Sequence, residues 1–221
     1  GFGSGTYTVS LARSGYTFSP VKHQVVVNDA SAAHDATGYP LTPVSLPFYD
    51  GFESGDLGTA WAIETDYTGR VAVSATYPHT GTYSILLDDS ATAGFISHAA
   101  TILSFDLSGM EEVELSFWWR EFSDEGHADD GVFISDDDGA RWARVVDFDG
   151  GTSSFVQSIV DLDDQAAAAS MTLNDHFLVK FQFFGQHPIP GDGYAVDDVL
   201  VTGIPPLAPP SDLVATALSP L

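Results

Sequence analysis

Strand periodicity dominates the chain. In VELSFWW, residues 113 to 119, Val113, Leu115, Phe117 and Trp119 fall on one face of an extended segment, and Glu114, Ser116 and Trp118 fall on the other. LVKFQFF repeats the alternation, with Val179, Phe181 and Phe183 pointing one way and Lys180 and Gln182 the other. GVFIS at 131 to 135 and RWARVVDF at 141 to 148 flank SDDDG, which reads as a Gly-ended turn between paired strands. Similar short runs of Val, Ile, Phe, Tyr and Thr, broken by Gly, Pro, Asp and Ser, recur throughout and predict an all-β sandwich. DDQAAAASM is the one helical segment expected, with Asp163 or Asp164 as its cap.

The ends of the chain read differently from its middle. Residues 5 to 11, 15 to 19 and 22 to 28 form three short predicted strands, followed by a Pro-, Ala-, Ser- and Thr-rich linker over 36 to 47. Three strands rarely make a stable domain, so residues 1 to 35 need something to cover an apolar face and an unpaired edge. The main sandwich is expected over 48 to 203. Beyond it, residues 204 to 221 run through a proline-rich hinge into DLVATAL, an isolated predicted strand.

Composition narrows the function classes. Seven Lys and Arg against 31 Asp and Glu give a net charge of −24, which excludes nucleic acid as a partner and disfavours anionic membranes. With 44% hydrophobic residues the chain can bury a substantial core. The absence of cysteine excludes disulfides and thiolate metal sites. No apolar run approaches the roughly 18 residues needed to span a bilayer. The opening GFGSGTYTVS is not a leader and reads as the start of a processed or excised segment. The Ser, Thr and Pro of 37 to 47 and 202 to 211 would suit O-linked sugars.

The ordered set FESG, HTGTYSILLDD, LSFWWREFSDE, DGVFIS and DGYAVDDV, within residues 48 to 202, resembles MAM-like jelly-roll modules of secreted bacterial proteins, although the cysteines usual in MAM domains are missing. The resemblance implies a jelly-roll fold and an extracellular, non-catalytic role in adhesion or assembly. GTYTV and SGYTFSP resemble the second half of small bacterial immunoglobulin-like repeats of the carboxypeptidase-regulatory kind, and this implies that the preceding strands are missing. DLVATAL after its proline hinge is similar to the first strand of a fibronectin type III domain. Either the natural chain continues there, or the tail completes the N-terminal module of a neighbouring copy by donor-strand complementation, a head-to-tail contact that builds filaments.

Acidic residues set against strand-forming ones suggest a cation, and calcium suits oxygen-rich loop ends better than zinc or copper. Jelly-roll modules often join their first and last strands through a structural calcium. The resemblance thereby implies Glu53 and Asp197 as ligands, supplemented by Asp50 and Asp88. Alternation along VDDV sends Asp197 and Asp198 to opposite faces, and Asp197 is favoured because it shares a face with Val199 and Val201. A second set comprises Glu121, Asp124, Glu125 and Asp130, with help from Asp192. Solvated loop charges would look the same in so acidic a chain. His79 and His127 read as loop or surface histidines.

No nucleophile elbow or phosphate-binding glycine loop occurs, and the acids of 121 to 125 do not alternate as a strand-borne catalytic pair would, so no enzyme is expected. Four tryptophans and eight tyrosines could offer a flat surface to sugar rings. Trp119 reads as core. Trp118 points to the opposite face, which is solvent, ligand or the underside of a loop, and it is the expected ligand-binding residue. The functional expectation is an extracellular, calcium-stabilised structural subunit of a bacterial surface fibril or adhesin that pairs with copies of itself. The alternative is a carbohydrate-binding module of a secreted multidomain protein.

Overall fold

The alternation of VELSFWW is realised in a long strand whose inner residues Val113, Leu115, Phe117 and Trp119 are all buried. The computed structural model describes residues 3–28, 35–92, 96–124, 126–186 and 190–206. In chain order the strands are β1 (Gly5–Ser10), β2 (Tyr16–Ser19), β3 (Lys22–Val27), β4 (Thr37–Pro40), β5 (Pro43–Val44), β6 (Phe48–Asp50), β7 (Trp61–Asp66) and β8 (Gly69–Ser74). They continue with β9 (Ser84–Asp89), β10 (Ser97–Phe105), β11 (Glu111–Phe122), β12 (Gly131–Ser135), β13 (Ala143–Asp147) and β14 (Val156–Asp161). Helix α1 (Leu162–Ala168) precedes β15 (Phe177–Gly185) and β16 (Gly193–Ile204).

Two sheets form an all-β jelly-roll sandwich. The front sheet runs β13-β12-β15-β10, with β5 and β7 both on the far side of β10. The back sheet runs β14-β11-β16-β9-β8, with β6 also paired to β16. The first and last strands of the sandwich therefore pair, Val199 opposite Asp50 and Val201 opposite Phe48. Between the sheets lies one large core. Phe117 and Phe181 meet edge to face across it, with centroids 5.1 Å apart, and Trp61, Phe148 and Tyr194 complete the aromatic centre. Each fully buried Phe contributes roughly 1.5–3 kcal/mol of transfer free energy.

Three elements differ from the sequence expectation. The segment 36–47, read as a linker, supplies β4 and β5: Thr37–Pro40 pairs with β2, and Pro43–Val44 adds a parallel rung to β10. Its proline and small residues allow edge pairing that needs few N–H donors. The helix is capped two or three residues earlier than expected, by Asp161, whose carboxylate accepts from the Asp164 N–H. Asp163 instead accepts from Val113 N. Finally, β2 does not join β1 and β3. It pairs with β4, while β1 and β3 form a separate ribbon.

That rearrangement supplies cover for β2, though not for the β1–β3 ribbon. Thr17 Oγ1 donates to Ile63 O, Val21 N donates to Thr65 O, and the Ser19 and Thr65 hydroxyls are 2.6 Å apart, so β2 and its C-terminal extension lie along β7. The edge strand β7 is thereby protected from foreign pairing. Tyr39, Leu41 and Trp142 pack on Ala62, Ile102 and Leu178, the outer side of the front sheet. Lys180 and Gln182 do face that outer side, yet both are more than nine-tenths buried beneath this cover. The back sheet's outer side has less cover. Ile159 and Tyr49, each 61% exposed, stand at the two ends of one rung across β14, β11, β16 and β6. The tail beyond residue 206 lies outside the described residues, and with it the expected donor strand.

Candidate functional site

The open outer side of the back sheet carries Trp118. It is half-buried, sits opposite Gln157 of β14, and stacks on His79 with centroids 4.0 Å apart and planes 15° apart. Phe155 closes on the same imidazole at 5.1 Å. One rung further, the Arg120 guanidinium lies 4.5 Å above the Tyr77 ring, and Tyr77 packs on Phe122. These side chains come from β11 and from the two segments flanking it in space, 75–83 and 152–155. A stacked pair held this way loses little further freedom when a ligand adds to it.

The loop that delivers His79 is clamped by the two acidic motifs. Asp197 Oδ2 accepts from the backbone N–H groups of His79 (2.8 Å) and Thr80 (3.2 Å), and Asp197 Oδ1 accepts from Asp198 N. At the other end of the loop, Glu53 accepts from Thr82 N and Tyr83 N, each at 2.9 Å. Gly81 makes this approach possible. It has φ +62°, and a Cβ there would stand 2.4 Å from the Glu53 carboxyl carbon. The Tyr83 and Thr82 N–H groups hold Glu53 below the usual carboxylate range. Burial pushes Asp197 up, against the lowering effect of its three N–H donors.

Asp198 sits in the left-handed region at φ +50°, at a bulge where β16 places two residues, Asp198 and Val199, opposite one, Phe117, on β11. Simple alternation therefore fails at VDDV: Val196 and Val199 both enter the core, and both carboxylates serve the 79–80 loop. Asp198 takes hydrogen bonds from His79 Nδ1 (2.7 Å), Tyr49 Oη (2.7 Å) and Thr80 Oγ1 (2.8 Å). Burial raises its pKa, but the hydrogen bonds from His79, Tyr49 and Thr80 outweigh that and hold it below the ordinary value. The Tyr49 phenol, bonded to that carboxylate, is pushed up to about 12.

The other expected cation ligands are distributed as follows. Glu53 and Asp197 do meet at one loop, where peptide N–H groups donate to their oxygens. Asp50 accepts from Phe52 N and Trp61 Nε1. Asp88 forms a two-point ion pair with Arg70 at 2.6 and 2.7 Å. The four therefore do not surround one point. In the second set, Tyr194 Oη donates to Asp124 Oδ2 at 2.5 Å and lies 3.4 Å from Asp130 Oδ2, so these two acids come together. Glu121 lies close enough for Asp124 and Asp149 to raise its pKa further, after burial. Asp192 is buried at the start of β16, and Glu125 lies outside the described residues. Among the described residues no three Asp, Glu or His side chains form a ready-made metal cage.

Sequence reasoning put Trp118 on the outer side of its sheet but missed what orients it. His79 was read as a loop histidine, and the signal lay in its place two residues before Gly81 in HTGTY, opposite the bulged VDDV. No helix of the described residues is long and apolar enough to cross a membrane.

No protein-family profile matches the chain. No curated protein matches it in sequence. Among solved structures, it is similar to a family 61 carbohydrate-binding module in complex with β-1,4-galactotriose, at 16% identity and TM-score 0.43, covering 69% of this chain and 94% of that one. It is similar to a family 22 xylan-binding domain from Paenibacillus barcinonensis at 17% identity and TM-score 0.44, covering 71% and 98%. A family 11 carbohydrate-binding module from Clostridium thermocellum, in complex with a β-1,3-1,4-mixed-linked tetrasaccharide, matches at 14% identity and TM-score 0.43, covering 72% and 95%.

Proposed function

We propose that the chain is a non-catalytic, extracellular glycan-binding module whose binding face is the open outer side of the back sheet around Trp118. The observation that carries this reading is the Trp118–His79 stack, fixed from behind by Asp198 and left partly exposed. A pyranose ring offers a face of C–H groups to an aromatic plane and a rim of hydroxyls to polar neighbours. Here the plane is Trp118, and the rim would meet Gln157, Arg120 and Thr80. Tyr49 and Ile159 extend the apolar surface along the next rung. The net charge of −24 favours neutral sugars over uronates or sulfated polymers, which the acidic surface repels. Glycan-array binding by the intact chain and by Trp118→Ala tests the reading. Retention of every signal by a folded Trp118→Ala would refute it.

A second reading rests on the β1–β3 ribbon. Val9 and Val26 lie on opposite faces of it and are 44% and 58% exposed, so neither face is fully covered. Such a ribbon is an acceptor for a strand from another copy, as in a fibril or adhesin assembled by complementation. Electron microscopy of the chain with and without residues 211–221 separates the two. Filaments that persist without those residues would count against complementation by this tail.

A further inference from the structure

The outer side of the back sheet is closed at one end and open at the other. Along β11 the side chains of Glu114, Ser116, Trp118, Arg120 and Phe122 follow one another on that side. At the Phe122 end, Leu86 of β9 and Ala195 of β16 share a rung with Arg120, and both are buried although they lie outside the main core. Their cover is Tyr77, from the segment leading into β9, and Phe155, from the segment leading into β14. The Arg120 guanidinium joins the two, 4.5 Å from the Tyr77 ring centroid and 6.0 Å from that of Phe155, and Phe155 is 5.1 Å from His79. His79, Phe155, Arg120 and Tyr77 therefore form one continuous band across β11. Trp118 stands against it.

The other end lies bare. Ile159 and Tyr49 are each 61% exposed there, Glu114 is exposed, and Leu200, unlike Ala195 on the same strand, is only partly buried. Beyond them opens a hollow of about 480 Å³ whose lining includes Glu114, Asp161, Thr202 and Ile204. From Trp118 to Glu114 the strand runs about 13 Å, room for a short oligosaccharide.

We infer that this face takes the end of a glycan chain and not its interior, which rests on the Trp118 reading above. His79 covers one face of the indole, so a terminal pyranose stacks on the other with its last edge against the band. The rest of the chain leaves over Ser116 towards Glu114 and Asp161, paired residues whose carboxylates accept from sugar hydroxyls. A chain end carries a free hydroxyl where an interior ring carries a glycosidic bond. Arg120 is placed to recognise it: its Nε donates to Glu121 O at 3.4 Å, which leaves the Nη groups as donors. An interior ring would have to continue through the band, and moving Tyr77 and Phe155 aside would expose Phe122, Leu86 and Ala195 to water.

Titration of the intact chain with xylan, galactan, glucomannan and β-1,3-glucan, each before and after partial cutting by its own endo-hydrolase, tests the end-on site. For any that binds, the number of sites per gram should rise in proportion to the number of chains, doubling when the mean length is halved. Kd per chain should stay constant within about twofold from the tetrasaccharide to the polymer, because further interior rings add no sites. Borohydride reduction of the fragments then assigns the end: loss of binding means the reducing end is held, and retention the other. Arg120→Ala of unchanged circular dichroism should weaken fragment binding about tenfold. Sites per gram that stay constant on cutting, or an affinity that climbs steadily with chain length, would overturn the end-on site and leave the Trp118 face standing. Failure of all these polysaccharides to bind, whole or cut, would remove both.

Discussion

His79 Nδ1 and Asp198 Oδ2 stand 2.7 Å apart, and this contact joins the last strand of the sandwich to the aromatic face of its back sheet. Asp198 is held in its ionised, acceptor-only form, so the imidazole Nδ1 carries the proton and the ring plane is set. Trp118 then rests on a ring that cannot tumble. Asp198→Asn should lower glycan affinity several-fold without unfolding the chain, at a cost of about 1–3 kcal/mol in stability. Titration calorimetry and denaturant unfolding measure the two effects separately.

The 79–83 loop is predicted to depend on its glycine. Gly81→Ala places a Cβ against the Glu53 carboxylate and puts a side chain at φ +62°. The expected loss is about 1–3 kcal/mol. Combining it with Glu53→Gln should relieve part of the clash, so the two changes should be less than additive in chemical denaturation.

Stability should fall on the acid side through His98. Burial, with Lys180 nearby, lowers its pKa to about 4, while the unfolded chain has an ordinary histidine near 6.5. The folded state prefers the neutral ring, so the stabilisation is complete above about 6.5 and is lost as pH falls towards about 4. The whole effect is at most roughly 3 kcal/mol. In His98→Asn, the pH dependence of unfolding between 6.5 and 4 should flatten.

Lys180 behaves as a buried charge without an ion pair. Its ammonium lies 4.2 Å over the Trp142 ring and 5.3 Å over Phe133, and burial lowers its pKa to about 8. At neutral pH it is protonated in both states and carries its desolvation penalty, which disappears from the balance as pH rises from about 8 towards the unfolded value. Lys180→Met should raise stability at pH 7 by about 1–3 kcal/mol, read from urea unfolding, with a smaller gain at pH 10.

The sandwich was legible because its strands obey a period of two. Val113 to Trp119 and Val179 to Phe183 enter the core as their alternation requires. Alternation also put Trp118 on the outer side. It misread Asp197 and Asp198, because a bulge adds a residue that no period reveals, and the left-handed φ of Asp198 is a property of the paired strands. The partners of the acids were hidden for a related reason. Peptide N–H groups look alike in any sequence, so nothing marked the His79–Tyr83 loop as the anchor for Asp197 and Glu53. Lys180 and Gln182 do point to the outer side as alternation requires, but their cover comes from Trp142 and residues 39–41, distant in sequence, which no period reveals.

Titration calorimetry of the intact chain against a neutral oligosaccharide selected on an array, compared with Trp118→Ala and Trp142→Ala of unchanged circular dichroism, tests the binding face most directly. Trp118→Ala should lose at least about tenfold in affinity, the scale of one stacking contact of 1–3 kcal/mol, and Trp142→Ala should bind as the wild type does. Equal binding by Trp118→Ala and wild type, or no neutral glycan bound at all, would contradict the account.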